Sequence, residues 1–334
     1  MPVLELLKLS NINSRKLWDD NLPDHSYIQN LTSLTIDKCS GIAYAFSSAV
    51  ARKLVNLLHL QISNCQMLED IFVSDGKLVS YPSSQNSLSN DEVIFPNLET
   101  LIISHMEHLK SIWHNQLAPN SFSKLKQLKI KFCNRLSNVF PSYVLDKLQS
   151  LEIVTVTDCP ALEVVFETKD LKAEGGRQTR LEMQLGTLTL KLLPILKHIW
   201  SGNSYESFKF HNLCLLKVTE CQCLNHVFPL HMAKEFQNLQ ELYVEECGIE
   251  IIVAQDEIAD TVPILIFPEL TSLSLRDLTH LRSVYRGFHT LDCPVLRDVD
   301  VLHCDKLELF TTTSRNCRDN VTVDTLPLLS IEKV

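Results

Sequence analysis

The sequence predicts an α/β solenoid, in which the short strands of stacked repeats form one parallel sheet. The first observation is a recurring pattern, which is clearest at Leu125-x-x-Leu128-x-Ile130-x-x-Cys133. The second is its spacing, since copies begin 26–28 residues apart where nothing is inserted and 31–41 apart elsewhere. The eleven copies begin at Leu4, Leu31, Leu57, Leu98, Leu125, Leu151, Leu185, Leu213, Leu239, Leu270 and Leu296. So many copies at one period indicate a repeat architecture.

Each repeat is predicted to open with a short strand. Leu128 and Ile130 are two residues apart, so they point into the core, while Gln127, Lys129 and Lys131 point outward. One repeat cannot bury its apolar stripe alone, so neighbouring repeats stack and share a core. A period of about 20–29 residues with this pattern is the leucine-rich-repeat signature. We therefore expect a curved horseshoe with the parallel sheet on its concave face and short helices and irregular segments on its convex side.

The position just after the strand carries cysteine in most repeats. A small side chain there turns inward, so these thiols are expected to be structural. They account for seven of the 11 cysteines: Cys39, Cys65, Cys133, Cys159, Cys221, Cys247 and Cys304.

A longer unit of three repeats is superimposed on the short period. Trp18, Trp113 and Trp200 close the first, fourth and seventh repeats, and we expect them to pack on the convex side. The second, fifth and eighth repeats have helix-like returning segments at residues 49–54, 143–148 and 231–236.

Insertions fall in the third, sixth and ninth repeats, near residues 73–95, 167–184 and 254–267. They are polar and weakly patterned, so we expect surface loops. The predicted solenoid covers residues 1–310, and residues 311–334 are an irregular C-terminal tail or the start of a further repeat. Neither end offers a polar cap, so we expect a fragment or truncated form of a longer protein.

The charge and the cysteine content argue against several classes of protein. With 31 basic and 40 acidic residues the net charge is −9, which disfavours binding to nucleic acid phosphates. No apolar run reaches the roughly 18 residues of a membrane span. The N-terminus lacks the pattern of a signal peptide, and the 11 cysteines are too sparse for a disulfide scaffold. We therefore expect a cytoplasmic protein with no membrane or nucleic acid partner.

The sequence lacks the common motifs of catalysis and cofactor binding. It has no phosphate-binding G-x-x-x-x-G-K-[ST] loop, no G-x-G-x-x-G, no G-x-S-x-G and no H-E-x-x-H. His105 and His108 have metal-ligand spacing, but His105 lies just past a predicted strand and His108 lies in the turn, so we expect solvated or packed histidines. We therefore expect no enzymatic activity, no cofactor and no metal.

Outward strand positions are the candidate binding residues, because the scaffold fixes them on the concave face. The middle of that face should be basic and its C-terminal part acidic or mixed, which favours a charged protein surface over an apolar ligand. The candidates are Lys126, Lys129, Lys131, Glu241, Tyr243, Glu245, Arg276, Arg297, Asp298 and Asp300.

Several stretches resemble one family of repeats. Phe95-Pro96-Asn97-Leu98-Glu99-Thr100-Leu101 is similar to the leucine-rich region of plant intracellular disease-resistance receptors of the coiled-coil, nucleotide-binding class. The stretches Phe132-Cys133-Asn134-Arg135-Leu136 and Phe267-Pro268-Glu269-Leu270 are similar to it as well. The resemblance implies that the repeats hold a nucleotide-binding domain of the same receptor inactive. Pathogen effectors, or host guard proteins that effectors modify, would release that domain.

Two functions follow as hypotheses. The first is a non-enzymatic protein–protein recognition module of a plant innate-immune receptor, active in plant defence. The alternative is the substrate-recognition protein of a ubiquitin ligase, because F-box proteins also contain cysteine-bearing repeats of about 26 residues. The Val139-Phe140-Pro141 ending fits the receptor pattern better.

Overall fold

A computed structural model describes residues 4–19, 27–73, 94–113, 117–118, 120–168, 181–202, 208–233, 235–254, 267–285 and 293–307. The chain divides into two compact units, residues 1–162 and 163–334. Each unit is an array of repeats with a parallel main sheet, so the predicted leucine-rich-repeat architecture is confirmed. Most of each predicted insertion lies outside the described residues, namely 74–93 of 73–95, 169–180 of 167–184 and 255–266 of 254–267, and so does the predicted tail at 311–334.

The first unit contributes nine strands within its described residues. They are β1 (Leu6–Ser10), β2 (Ser33–Asp37), β3 (Tyr44–Ser47), β4 (His59–Ser63), β5 (Asp70–Val73), β6 (Thr100–Met106), β7 (Gln127–Cys133), β8 (Asn138–Phe140) and β9 (Ile153–Thr157). The main sheet contains β1, β2, β4, β6, β7 and β9 in that order, all parallel. β3 and β5 pair on the opposite side of the core.

The strand register reproduces the predicted alternation. Leu101, Leu128 and Val154 lie side by side on three neighbouring strands, and all three are fully buried. Lys129 is one residue further along β7 and is only half-buried. The inward residues of successive repeats thus form rows in one continuous apolar core, and burial of such rows supplies the main stabilising free energy.

The turn after each main-sheet strand has an unusual backbone. The residue that precedes the cysteine position has φ between 50° and 57° in all eleven repeats, and none of the eleven is glycine. They are Asn11, Lys38, Asn64, His105, Phe132, Asp158, Leu192, Glu220, Glu246, Asp277 and His303. We call them the left-handed column. The conformation costs a non-glycine residue about 1–2 kcal/mol, so the surrounding packing must impose it.

The seven predicted structural cysteines are all buried. Each thiol donates a hydrogen bond to the carbonyl oxygen two residues earlier, as Cys65 does to Ser63 at 3.3 Å. Burial raises the pKa of Cys65 to about 11, so this thiol stays protonated at neutral pH. The structural role predicted for the cysteine position is confirmed.

Aromatic rings fill the side of the core opposite the main sheet. In the first unit Trp113 is 4% exposed and lies edge-on to Phe122, with ring centroids 5.2 Å apart. Its indole N–H donates to the carbonyl oxygen of Val139, one repeat further on, at 2.6 Å. Trp18 donates in the same way to Ala45, at 3.0 Å. The tryptophans therefore tie consecutive repeats together through these hydrogen bonds.

Short helical segments close some of the repeats. Helix α1 (Ser48–Lys53) begins at the N-cap Ser47, whose hydroxyl accepts a hydrogen bond from the Val50 N–H. Residues Tyr27–Asn30 and Ser142–Lys147 form 3₁₀ helices. The predicted helix-like segments at 49–54 and 143–148 are thus helical within about one residue, the second with the tighter 3₁₀ geometry.

The second unit repeats the same plan. Its described strands are β10 (Val164–Glu167), β11 (Leu181–Glu182), β12 (Thr187–Lys191), β13 (His198–Ser201), β14 (Phe208–Lys209), β15 (Leu215–Thr219), β16 (Phe228–Pro229), β17 (Glu241–Glu245), β18 (Ile251–Ala254), β19 (Ser272–Arg276), β20 (Ser283–Tyr285) and β21 (Asp298–Leu302). Its main sheet runs β12, β15, β17, β19 and β21, all parallel. Helix α2 (Leu230–Ala233) follows β16, where a helical segment was predicted. Trp200 is buried and donates to the carbonyl oxygen of Val227 at 3.1 Å.

Candidate functional site

The outward residues of the main sheet form three rows in the first unit. We call this surface the exposed face of the first unit. One row passes through His59, Thr100, Gln127 and Ile153, the next through Gln61, Ile102, Lys129 and Thr155, and the third through Ser63, Ser104, Lys131 and Thr157. Because the strand register sets these rows, the spacing between their side chains is fixed by the backbone.

The three predicted lysines differ in their surroundings. Lys126 lies just before β7, and its amine is 3.4 Å from the Glu99 carboxylate. Lys129 and Lys131 project from β7 itself and are half-buried at their bases. Neither of these two amines forms an ion pair with any residue that the structure describes. Of these three lysines, Lys129 and Lys131 therefore offer a partner the more available positive charge, and Lys126 is already partly neutralised.

The neighbours of these two lysines are uncharged. Lys129 lies between Ile102 and Thr155, and Lys131 lies between Ser104 and Thr157. An incoming carboxylate could pair with either amine without displacing an internal partner.

The exposed face of the second unit carries acidic residues and one aromatic ring. Glu241 and Glu245 begin and end β17, with Tyr243 between them. The Tyr243 hydroxyl donates to the Glu241 carboxylate at 2.8 Å, and the Lys217 amine lies 6.0 Å from the centre of the tyrosine ring. The predicted residues of this strand therefore do lie together, and Tyr243 is held by two neighbours.

The last two main-sheet strands contain the other predicted residues. The Arg276 guanidinium pairs with the Asp300 carboxylate of the next strand, with Nε 2.7 Å from Oδ2. This hydrogen bond raises the pKa of Arg276. Arg297 and Asp298 are exposed at the beginning of β21. The pairing of Arg276 with Asp300 removes two of the predicted charges from those free to meet a partner, and their role in binding stays a prediction.

One aspartate of the first unit has a perturbed acidity. The Asp37 carboxylate accepts hydrogen bonds from the Asn64 amide at 2.8 Å and from the Ser63 hydroxyl at 2.7 Å. These bonds, above all the one from Asn64, lower the pKa of Asp37. The three side chains connect two neighbouring repeats at the edge of the exposed face.

The described parts of the chain lack two other kinds of feature. Those parts contain no group of three or more His, Cys, Asp or Glu residues placed to hold a metal ion. None of their helices has the length and the apolar character needed to span a bilayer.

Sequence reasoning missed one notable feature of the exposed face. His105 and Phe132 occupy the left-handed column on β6 and β7, and their rings stack with centroids 4.5 Å apart. Phe132 is 42% exposed. The sequence did contain a signal for this feature. Most other repeats have a polar or charged residue just before the cysteine position, so a phenylalanine there is unusual.

Comparisons with known proteins agree with this architecture. A sequence model of one family, described as plant disease resistance protein RPS2-like leucine-rich repeats, matches residues 3–119 and 98–248. These matches span well over half of the chain. A probable disease resistance protein of Arabidopsis thaliana is 23% identical over 202 residues, which cover 60% of this chain and 20% of that protein. The matched part of the chain thus spans about a fifth of the relative's length.

Two solved bacterial structures are also similar. An internalin of Listeria monocytogenes aligns with a TM-score of 0.32 and 14% identity, over 91% of this chain and 86% of its own. A leucine-rich-repeat protein of Leptospira interrogans aligns with a TM-score of 0.38 and 15% identity, over 92% of this chain and 83% of its own. Leucine-rich repeats are typically non-enzymatic modules of protein–protein recognition. The family match makes this chain a recognition module that belongs to the RPS2-like leucine-rich repeats of plant disease resistance proteins.

Proposed function

We propose that this chain is the sensing part of a cytoplasmic plant immune receptor, without enzymatic activity of its own. It binds a pathogen effector, or a host protein that an effector has modified, through the exposed faces of its main sheet. The observation that supports this proposal most is the pair Lys129 and Lys131, which no described residue pairs and which lie on a rigid surface of a family of recognition repeats. Bound cofactors have no part in this function.

The physical basis is preorganisation. The inward residues on either side of Lys129, Leu128 and Ile130, are fully buried, so the backbone that carries the lysines is fixed before any partner arrives. A rigid site loses less conformational entropy on binding, and more of the contact free energy then appears as affinity. Unpaired charges on the surface also accelerate the encounter with a partner of opposite charge.

The second part of the proposal is autoinhibition. The same repeats would dock on a nucleotide-binding domain of the same receptor and hold it inactive until the sensed protein binds. Release requires that the sensed protein and the nucleotide-binding domain compete for the repeats or favour different states of the receptor. The acidic residues Glu241, Glu245 and Asp298 of the second unit provide a further charged surface for one of these two partners.

The test is recovery of the tagged full chain from plant leaf tissue, with identification of the proteins that remain bound. The proposal expects a protein with a phosphate-loop nucleotide-binding domain, and it expects the double substitution Lys129→Glu and Lys131→Glu to reduce its recovery at least tenfold. The matched control is Lys110→Glu with Lys124→Glu. These two exposed lysines lie outside the main-sheet strands and pair with Glu69 and Asn97.

Two results would contradict the proposal. Recovery of a ubiquitin-ligase adaptor in place of the nucleotide-binding protein would support the ligase alternative. Equal loss of binding in the two double variants would mean that net charge, and not the exposed face, determines the association, because both variants change the charge by the same amount.

A further inference from the structure

The stacked rings of His105 and Phe132 are an anomaly in the repeat. Both residues belong to the left-handed column, with φ of 56° and 54°. Histidine, asparagine and aspartate tolerate this conformation best among the residues with a side chain, whereas a bulky side chain there is an outlier. Phe132 is the only phenylalanine among the eleven residues of the column. The repeat geometry explains the backbone conformation but not the choice of a phenylalanine.

Packing does not explain the phenylalanine either. The core positions beside it, Ile130 and Cys133, are fully buried, whereas the Phe132 ring points away from the core and remains 42% exposed. Its described ring contact is the stack on His105, with an interplanar angle of 26°. A strained and exposed aromatic residue is an observation from which a functional role can be inferred.

Two lysines that form no ion pair with the described residues lie close to these rings in the strand register. Lys131 precedes Phe132 on β7, and Ser104, which precedes His105, is its neighbour on β6. Lys129 lies two residues before Lys131 on β7, so the two lysine side chains point to the same side of the sheet. We call His105, Lys129, Lys131 and Phe132 the aromatic–lysine patch. It combines an apolar platform with two positive charges that the described residues leave unpaired.

We propose that the aromatic–lysine patch binds a segment of a partner protein that carries acidic side chains next to an aromatic or aliphatic one. The acidic side chains pair with Lys129 and Lys131, and the apolar side chain packs on the Phe132 ring. Aromatic residues flanked by polar contacts dominate the binding free energy of protein interfaces, and complementary charges fix the orientation of the partner. This inference rests on the proposed recognition function, for which it names the chemistry of the partner.

A single-stranded nucleic acid is the competing ligand, because bases stack on aromatic rings and phosphates pair with lysines. The charges disfavour it. The chain carries a net charge of −9, and Asp158 occupies the left-handed column next to Phe132. Nucleic acid affinity comes from neutralising several phosphates, whereas two lysines supply only two such contacts.

The experiment selects 16-residue random peptides displayed on phage against the full chain. Peptides that also bind the Lys129→Glu and Lys131→Glu double variant are removed by counter-selection. The proposal expects the remaining peptides to be rich in Asp and Glu and to contain an aromatic or leucine residue. Enrichment of neutral or basic peptides, or no enrichment over the double variant, overturns it.

A second step measures the affinity of one enriched, fluorescein-labelled peptide by fluorescence polarisation. Phe132→Asn is expected to weaken binding at least tenfold without loss of folding, because asparagine is already present in the left-handed column at Asn11 and Asn64. Leu192→Asn is the matched control, since it makes the same kind of change at the same column position in the second unit, and it should leave the affinity within twofold. Equal affinities of the two variants would overturn the proposal.

The final comparison is with a labelled 12-nucleotide oligouridine RNA. If the RNA binds more tightly than the peptide and competes with it, the patch binds nucleic acid and the proposal is wrong. These results are distinguishable from a failure of the receptor hypothesis. Peptides that bind elsewhere on the chain would contradict only the proposal about the aromatic–lysine patch. Recovery of a ligase adaptor from leaf tissue would contradict the proposed receptor function.

Discussion

The substitution Leu128→Ala tests the strand register that determines which side chains reach the exposed face of the first unit. Leu128 is fully buried between Leu101 and Val154 of the neighbouring strands. Losing three buried carbon atoms costs about 2.4 kcal/mol at about 0.8 kcal/mol each. Because paired strands on both sides prevent the site from collapsing, a cavity term is added, and we expect a total of about 3–4 kcal/mol within the usual range of about 2–5.

The assay is equilibrium unfolding in urea, followed by circular dichroism. Lys129→Ala is the control on the same strand and should change the free energy of unfolding by no more than about 0.5 kcal/mol, because its side chain points outward. Val299→Ala is a second control. By strand register Val299 corresponds to Leu128, but it is 44% exposed on the last described strand, so its loss should cost less than about 1 kcal/mol. Equal costs for Leu128→Ala and Lys129→Ala would refute the inward and outward assignment.

Three further predictions concern single side chains. Trp113→Phe should lower the free energy of unfolding by about 2–4 kcal/mol in urea titrations, because it removes a buried hydrogen bond to the Val139 carbonyl together with apolar contact area. Glu246→Asn should raise the thermal midpoint, because this exposed residue is left-handed with φ 50° and asparagine tolerates that conformation better. Asp37 should titrate below the usual aspartate pKa in carbon-detected NMR, and Asn64→Ala should move its pKa back up. Since the folded-state pKa is lowered, this stabilisation is present above the unfolded-state pKa of about 3.9 and is lost as the pH falls through the folded-state value.

Much of the fold could be predicted because the same pattern of buried and exposed residues recurs in every repeat. The inward positions of Leu128 and Ile130 and the buried cysteine position follow from a period that the sequence repeats eleven times. The helical segment near residue 143 was also predicted, although not its 3₁₀ geometry. A single repeat would not have distinguished these assignments, because a short apolar run fits a buried strand or a buried helix equally well.

The candidate binding site could be predicted from the sequence only in part. The period indicated which side chains leave the core, but not which of them find partners across the sheet. The pairing of Arg276 with Asp300 joins residues 24 positions apart, and its geometry depends on the strand register. The sequence did not indicate that Phe132 would be exposed. Phenylalanine does not favour the left-handed backbone conformation, so nothing in its residue type predicted the turn that exposes its ring. This conflict between the backbone preference of phenylalanine and the conformation that the repeat imposes is seen only in the structure.

Lysine footprinting with an acetylating reagent, read by mass spectrometry, can show directly whether recognition uses the exposed face of the first unit. The full chain is labelled alone and again in complex with the nucleotide-binding protein recovered from leaf tissue. We expect the complex to lower the acetylation of Lys129 and Lys131 at least fivefold. Lys110 and Lys124, which lie outside the main-sheet strands, should be labelled equally in both states. Protection of Lys110 and Lys124 with unchanged labelling of Lys129 and Lys131 would show that recognition does not use the exposed face.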